Sequence, residues 1–108
     1  MPTQVPQLYS ICRVRVRLGE TDYLRPCIVL EATPTVLCVA AISSQIDLYQ
    51  PTQHFLIPAD HPDFISTGLD RISYVIGAPL FDAKLEDVEK VLGCLSGDLA
   101  KSFEQWIG

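Results

Sequence analysis

The sequence predicts a mainly β protein with a helical C-terminus, folded as a small, strongly bent antiparallel β-barrel. Three observations carry that prediction. Residues 12–18 alternate strictly between apolar and charged side chains, β-branched runs flank a short proline turn, and the apolar spacing changes after residue 81. At 108 residues the chain has the length of one domain, so residues 1–108 are expected to form a single barrel. Hydrophobic residues make up 48% of it, enough to bury a core without metals or disulfides.

The elements follow in chain order. In ICRVRVRLG, Val14, Val16 and Leu18 share one face and Arg13, Arg15 and Arg17 the other, which is the period of a half-buried strand ended by Gly19. CIVLEA and VLCVAAI flank TPT, whose proline cannot continue a central ladder, so the two runs are expected to pair across a turn. QHFLIP, closed by ADHPD, predicts a further strand, and RISYVIG another. In DAKLEDVEKVLG the spacing of Leu85, Val88 and Leu92 predicts a helix, with Asp82 placed to cap it and Gly93 to end it. SGDLAKSFEQWIG predicts a second helix from a Ser96 cap, with Leu99, Phe103, Trp106 and Ile107 aligned on a face turned to the core. About five strands followed by two helical segments, without βαβ alternation, argue against a parallel α/β domain.

Charge is distributed unevenly. Residues 1–30 hold four arginines against Glu20 and Asp22, whereas residues 31–108 hold four basic and eleven acidic side chains within a net charge of −5. An anionic ligand is therefore expected at the N-terminal third, because a local basic strip can hold phosphate although the whole chain is acidic. Cys12, Cys27, Cys38 and Cys94 have no metal-ligand spacing and are expected to be reduced, buried core residues. MPTQVPQLYS lacks the features of a secretory signal, and no apolar run reaches the roughly 18 residues of a membrane span, so a soluble, cytoplasmic protein without membrane partners is expected.

No phosphate-binding glycine loop, H-E-x-x-H or G-x-S-x-G is present. Arg25 stands out because Pro26 biases it to extended backbone at the mouth of the predicted hairpin, where a guanidinium can grip phosphate or carboxylate with two parallel hydrogen bonds. The competing role is a surface ion pair with Glu20 or Asp22. Ser43 and Ser44 end the third apolar run, so one hydroxyl should lie at the barrel rim, with local backbone hydrogen bonding as the alternative use. His54 and His61 titrate near neutrality, yet neither has a catalytic partner legible in the sequence, and both are expected to be structural.

Taken together, GETDYLRPCIVLE, VLCVAAISSQ, TGLDRISYV and LEDVEKVLGCL resemble, in order, the conserved blocks of the MazF/PemK type II toxins, across roughly residues 11 to 108. The resemblance implies an SH3-like (MazF/PemK/CcdB-like) barrel that dimerises and cleaves single-stranded RNA without a metal or cofactor until a cognate antitoxin protein blocks the groove. By position it implies that Arg25 and Ser43 are catalytic, Ser43 standing where the family has a threonine, with Ser44 and Gln45 beside it as RNA contacts. Arg13, Arg15, Arg17 and Arg71 are the remaining expected contacts to the RNA backbone, the first three being equally readable as a solvated strand face. The alternative function is a catalytically weak or inactive barrel that binds a protein partner as regulator or inhibitor.

Overall fold

The computed structural model describes residues 6–45 and 54–108. Within them lie seven strands and one α-helix: β1 (Ser10–Leu18), β2 (Thr21–Ala32), β3 (Val36–Ser43), β4 (Phe55–Ile57), β5 (Ser73–Val75), β6 (Phe81–Lys84), β7 (Val88–Cys94) and α1 (Gly97–Ile107). All pairings are antiparallel, in the order β4-β5-β3-β2-β1-β7, with β6 also on β3. The sheet curls into a half-barrel because β3 divides its free edge. Its first half, Val36–Val39, pairs with β6, and Ile42 and Ser43 pair with β5.

Local chemistry sets the central strands. β1 and β2 join through a tight turn from Leu18 to Thr21, where Gly19 adopts a left-handed φ of 66°. Between β2 and β3, the Thr33 hydroxyl accepts the backbone N–H of Val36 and donates to its carbonyl, closing the proline turn. A bulge at Leu30 in β2 shifts the register between Val29↔Val39 and Glu31↔Cys38, and two further shifts occur where β7 pairs with β1. Each extra residue bends its strand and adds twist, which curls the sheet.

Only the inner parts of β1–β3 are covered on both faces, and there consecutive residues are buried, as in Ser10–Cys12 and Cys27–Val29. One core gathers Ile11, Ile28, Ile42, Val75, Leu99 and Phe103 beneath α1, and the other gathers Cys12, Val14, Cys27, Val29, Leu37 and Val39 inside the curl.

The predicted helix over residues 82–93 is not formed. Phe81–Lys84 is β6, Leu85–Asp87 is a single 3₁₀ turn and Val88–Cys94 is β7. A dozen residues at helical spacing gain little as an isolated helix, whereas the same residues complete ladders to β3 and β1. Asp82 therefore caps no helix and lies opposite Cys38 on β3. Gly93 serves a close backbone approach rather than a helix end, since a Cβ there would collide with the Ser66 carbonyl oxygen.

The C-terminal helix forms as expected, with a different cap. Ser96 holds the N-cap position, but its hydroxyl lies 2.7 Å from that of Ser66, and the helix N–H of Leu99 donates instead to Asp63 Oδ2 at 3.3 Å. Leu99 and Phe103 are buried, whereas Trp106 is 36% exposed and Ile107 is also exposed, so the apolar face is buried only in its first two turns. No helix among the described residues is long and apolar enough to cross a membrane.

Of the four cysteines, Cys12 and Cys27 are buried cross-strand partners, Cys38 is half-buried and Cys94 is exposed, against the expectation of four core thiols. Cys94 misses the core because β7 is an edge strand. Burial pushes the Cys12 thiol up to about 11 and Cys27 to about 12, in the second case with help from neighbouring Cys12 and against a weaker pull from Arg25. Both folded values exceed the ordinary thiol value of 9.0. The unfolded chain therefore loses these protons first, so the stability the two thiols contribute is present in full below about pH 9 and is lost from there to about pH 12. Urea unfolding at pH 7, 9 and 10.5 checks the sign, and a Cys27→Ala variant should flatten the slope.

Candidate functional site

The site is built at the open end of the β2–β3 pair. The ladder runs through Cys27↔Ala41, and continuing that register two residues outward sets Arg25 opposite Ser43. Arg25 also lies directly across from Val14 on β1, so it shares the inner face of the curl rather than the face of its charged neighbours. Both residues line one cavity of roughly 190 Å³, whose other walls include Val16, Ile76, Pro79 and Phe81. An arginine and a serine 18 positions apart thus border the same apolar hollow.

Each polar group is poised to donate. Arg25 is exposed and has no ion pair among the described residues; Asp22, one of its expected partners, binds Arg17 Nε at 3.0 Å instead. The Arg25 guanidinium lies over the Tyr23 ring at 5.4 Å from its centroid. Ser43 is 8% exposed, and its Oγ accepts the Gln45 N–H at 3.1 Å, which leaves the hydroxyl proton available for a ligand. The apolar surroundings of the nearly buried Ser43 hydroxyl lower the dielectric around that donor. Each group is a donor of the kind that an oxyanion of phosphate or carboxylate accepts.

The remaining expected contacts are placed differently. Ser44 and Gln45 are exposed just beyond β3. Arg13 pairs with Glu89 at 3.3 Å, Arg17 with Asp22, and Arg71 with Asp70 at 3.4 Å, all on exposed surface. Its hydrogen bond to Asp22 raises the Arg17 pKa. Arg13, Arg15 and Arg17 alternate onto the opposite face of β1 from Val14 and so do not converge on Arg25. Arg15 and Arg17 border a second cavity of about 420 Å³ with Asp22, Asp82 and Asp87, which shares Val16 and Phe81 as wall residues with the first.

Neither histidine lines the Arg25 cavity. His54 Nδ1 accepts the Gly77 N–H at 3.1 Å, and the residue borders a third hollow of about 630 Å³ with Leu80 and Trp106. His61 Nδ1 accepts the Asp63 N–H at 3.0 Å within the turn that caps α1. The Arg25 hollow is the smallest of the three, but it alone brings a guanidinium and a nearly buried hydroxyl together on the inner face. Among the described residues no cluster of three or more His, Cys, Asp or Glu is arranged to hold a metal.

Sequence reasoning missed Tyr23, Pro79 and Phe81. Tyr23 had a usable signal, because residues two apart on a strand share a face and DYLRP puts Tyr23 two before Arg25. Pro79 and Phe81 had none, since they reach the site only through the pairing of β6 with β3. Comparison of the chain with models of known protein families and with curated proteins finds no match.

Proposed function

We propose that this chain is a toxin of the MazF/PemK type, an SH3-like barrel that cuts single-stranded RNA by attack of a 2′-hydroxyl on the adjacent phosphate. The observation that carries the proposal is the meeting of Arg25 and Ser43 at one apolar cavity. In the reaction the 2′-hydroxyl gives its proton to water as its oxygen bonds to phosphorus, the bond from phosphorus to the 5′-oxygen breaks, and that oxygen takes a proton from water, leaving a 2′,3′-cyclic phosphate and a 5′-hydroxyl. Negative charge grows on the non-bridging oxygens. Arg25 offers them a forked pair of donors and Ser43 a third, and one such preorganised donor is worth about 10² to 10³ in rate. A homodimer, a cognate antitoxin and a cytoplasmic location belong to the same reading.

A second reading, a barrel of this kind that acts only by binding a protein partner, draws on the pairing of Arg13, Arg17 and Arg71 with carboxylates. Those pairs engage three of the five arginines that a phosphate backbone would otherwise meet. Incubation of the purified chain with unstructured RNA in the presence of a chelator separates the two. Cleavage is expected, with 5′-hydroxyl ends that a kinase labels directly and with full resistance at a 2′-deoxy nucleotide. A metal requirement, 5′-phosphate ends or cutting at the deoxy position excludes the mechanism, and binding of a protein partner without any cutting supports the second reading.

The two serines give an internal control. Ser43→Ala should lower cleavage about 10²-fold by removing a donor at the cavity, while Ser44→Ala, exposed and outside its lining, should stay within a few-fold of the unaltered chain. Single-turnover rates on one RNA substrate check the ratio, and equal losses would remove Ser43 from the site.

A further inference from the structure

Tyr23 stands at the lip of the Arg25 cavity. Its cross-strand partner Val16 and its neighbour two residues on, Arg25, both line the hollow, while Tyr23 does not. The paired ladders on either side stop short of it: β7 follows β1 only as far as Val14, and β3 follows β2 only from Cys27 inward. Residues 15–26 therefore extend beyond the sheet as a two-stranded arm. Tyr23 sits on its inner face, 41% exposed. A large aromatic ring held half open to solvent, with a guanidinium 5.4 Å from its centroid, adds nothing to either core.

We propose that Tyr23 is a base-stacking subsite that takes the nucleobase next to the phosphate gripped by Arg25 and Ser43, purines in preference to pyrimidines. The proposal rests on the RNA reading given above. Every base has a π-face, so a tyrosine beside a phosphate site recognises single-stranded nucleic acid without needing hydrogen bonds to a base edge. Purines cover more of the ring than pyrimidines and stack more strongly. Arg13, Arg17 and Arg71 are paired with carboxylates, and stacking supplies contact that does not depend on such cations.

The test uses the full chain and three fluorescein-labelled pentanucleotides that cannot be cut: 2′-fluoro oligoadenylate, 2′-fluoro oligouridylate, and an abasic chain with the same number of phosphates. All three share the phosphate contacts and differ only in what can stack. By anisotropy at low salt, oligoadenylate should bind about 3- to 10-fold tighter than oligouridylate, and both tighter than the abasic chain. Tyr23→Phe should keep this ladder, because the ring remains. Tyr23→Ala should collapse all three to the abasic affinity, and Arg25→Ala should weaken the three by one common factor with the ladder intact. A general loss of structure would not remove base dependence while sparing the abasic chain.

Equal binding of the three probes by the unaltered chain, no binding of any probe, or a ladder that survives in Tyr23→Ala overturns the proposal. The RNA reading is scored separately by cleavage in chelator. RNA cutting without a ladder sinks the stacking subsite alone, whereas neither cutting nor binding sinks both.

Discussion

Arg25→Ala should leave the chain folded and lower RNA cleavage by at least about 10²-fold, the ordinary effect of deleting one preorganised donor to a transition-state oxyanion. Folding should survive because Arg25 is exposed, has no ion pair among the described residues and contributes to neither core cluster. Its ring contact with Tyr23 lies on the exposed arm. Arg25→Lys should recover only part of the rate, since an ammonium keeps the charge but loses the planar fork that binds two oxygens at once. Urea midpoints measured beside cleavage rates separate the two effects. A variant with unchanged midpoint and unchanged cleavage would exclude Arg25 from the chemistry. Loss of both would mean that the residue supports the fold instead.

The largest effect on stability is expected from Phe103→Ala. Phe103 is fully buried and is the aromatic hub of the core beneath α1. Its ring meets Tyr9 edge-on at 5.5 Å, Phe55 edge-on at 5.1 Å and Trp106 at 5.7 Å. Truncation removes that burial and leaves a cavity bounded by other rings, at a cost of about 3–5 kcal/mol. A protein of this kind has only about 5–15 kcal/mol of net stability, so the urea midpoint should fall by roughly 2 M or more. Trp106→Ala, on the partly exposed continuation of the same face, should cost clearly less. Equal midpoints for Phe103→Ala and the unaltered chain would show that α1 is not docked on β4 and on the segment before β1.

Much of this fold is legible residue by residue, and the exceptions have causes. Arg13 through Leu18 announce a strand because alternation is a local property of the chain, and the turn at residues 33–35 announces itself because Thr33 and Pro34 act on their own backbone. Residues 82–93 mislead because Leu85, Val88 and Leu92 satisfy a helical period, while their outcome depends on vacant edges of β1 and β3 that lie dozens of positions away. The cap of α1 misleads in a smaller way. Ser96 has the right position, but Asp63 supplies the acceptor from across the molecule.

The candidate site divides along the same line. The sequence by itself determined that a guanidinium and a hydroxyl stand at the two ends of an apolar hairpin, because Arg25-Pro26 and Ser43-Ser44 bound the runs, and it determined that positive charge is concentrated before residue 30. Only the tertiary structure decided that Arg25 and Ser43 share a cavity. Their meeting depends on strand register, which a single bulge at Leu30 helps to set, and a slip of one residue would turn either side chain to the opposite face. Tertiary structure likewise decided that Arg13 and Arg17 spend their charge on Glu89 and Asp22, and that Phe81 and Pro79 wall the site. Strand periodicity is written into adjacent residues. Cross-strand partners are chosen by the free energy of the whole sheet.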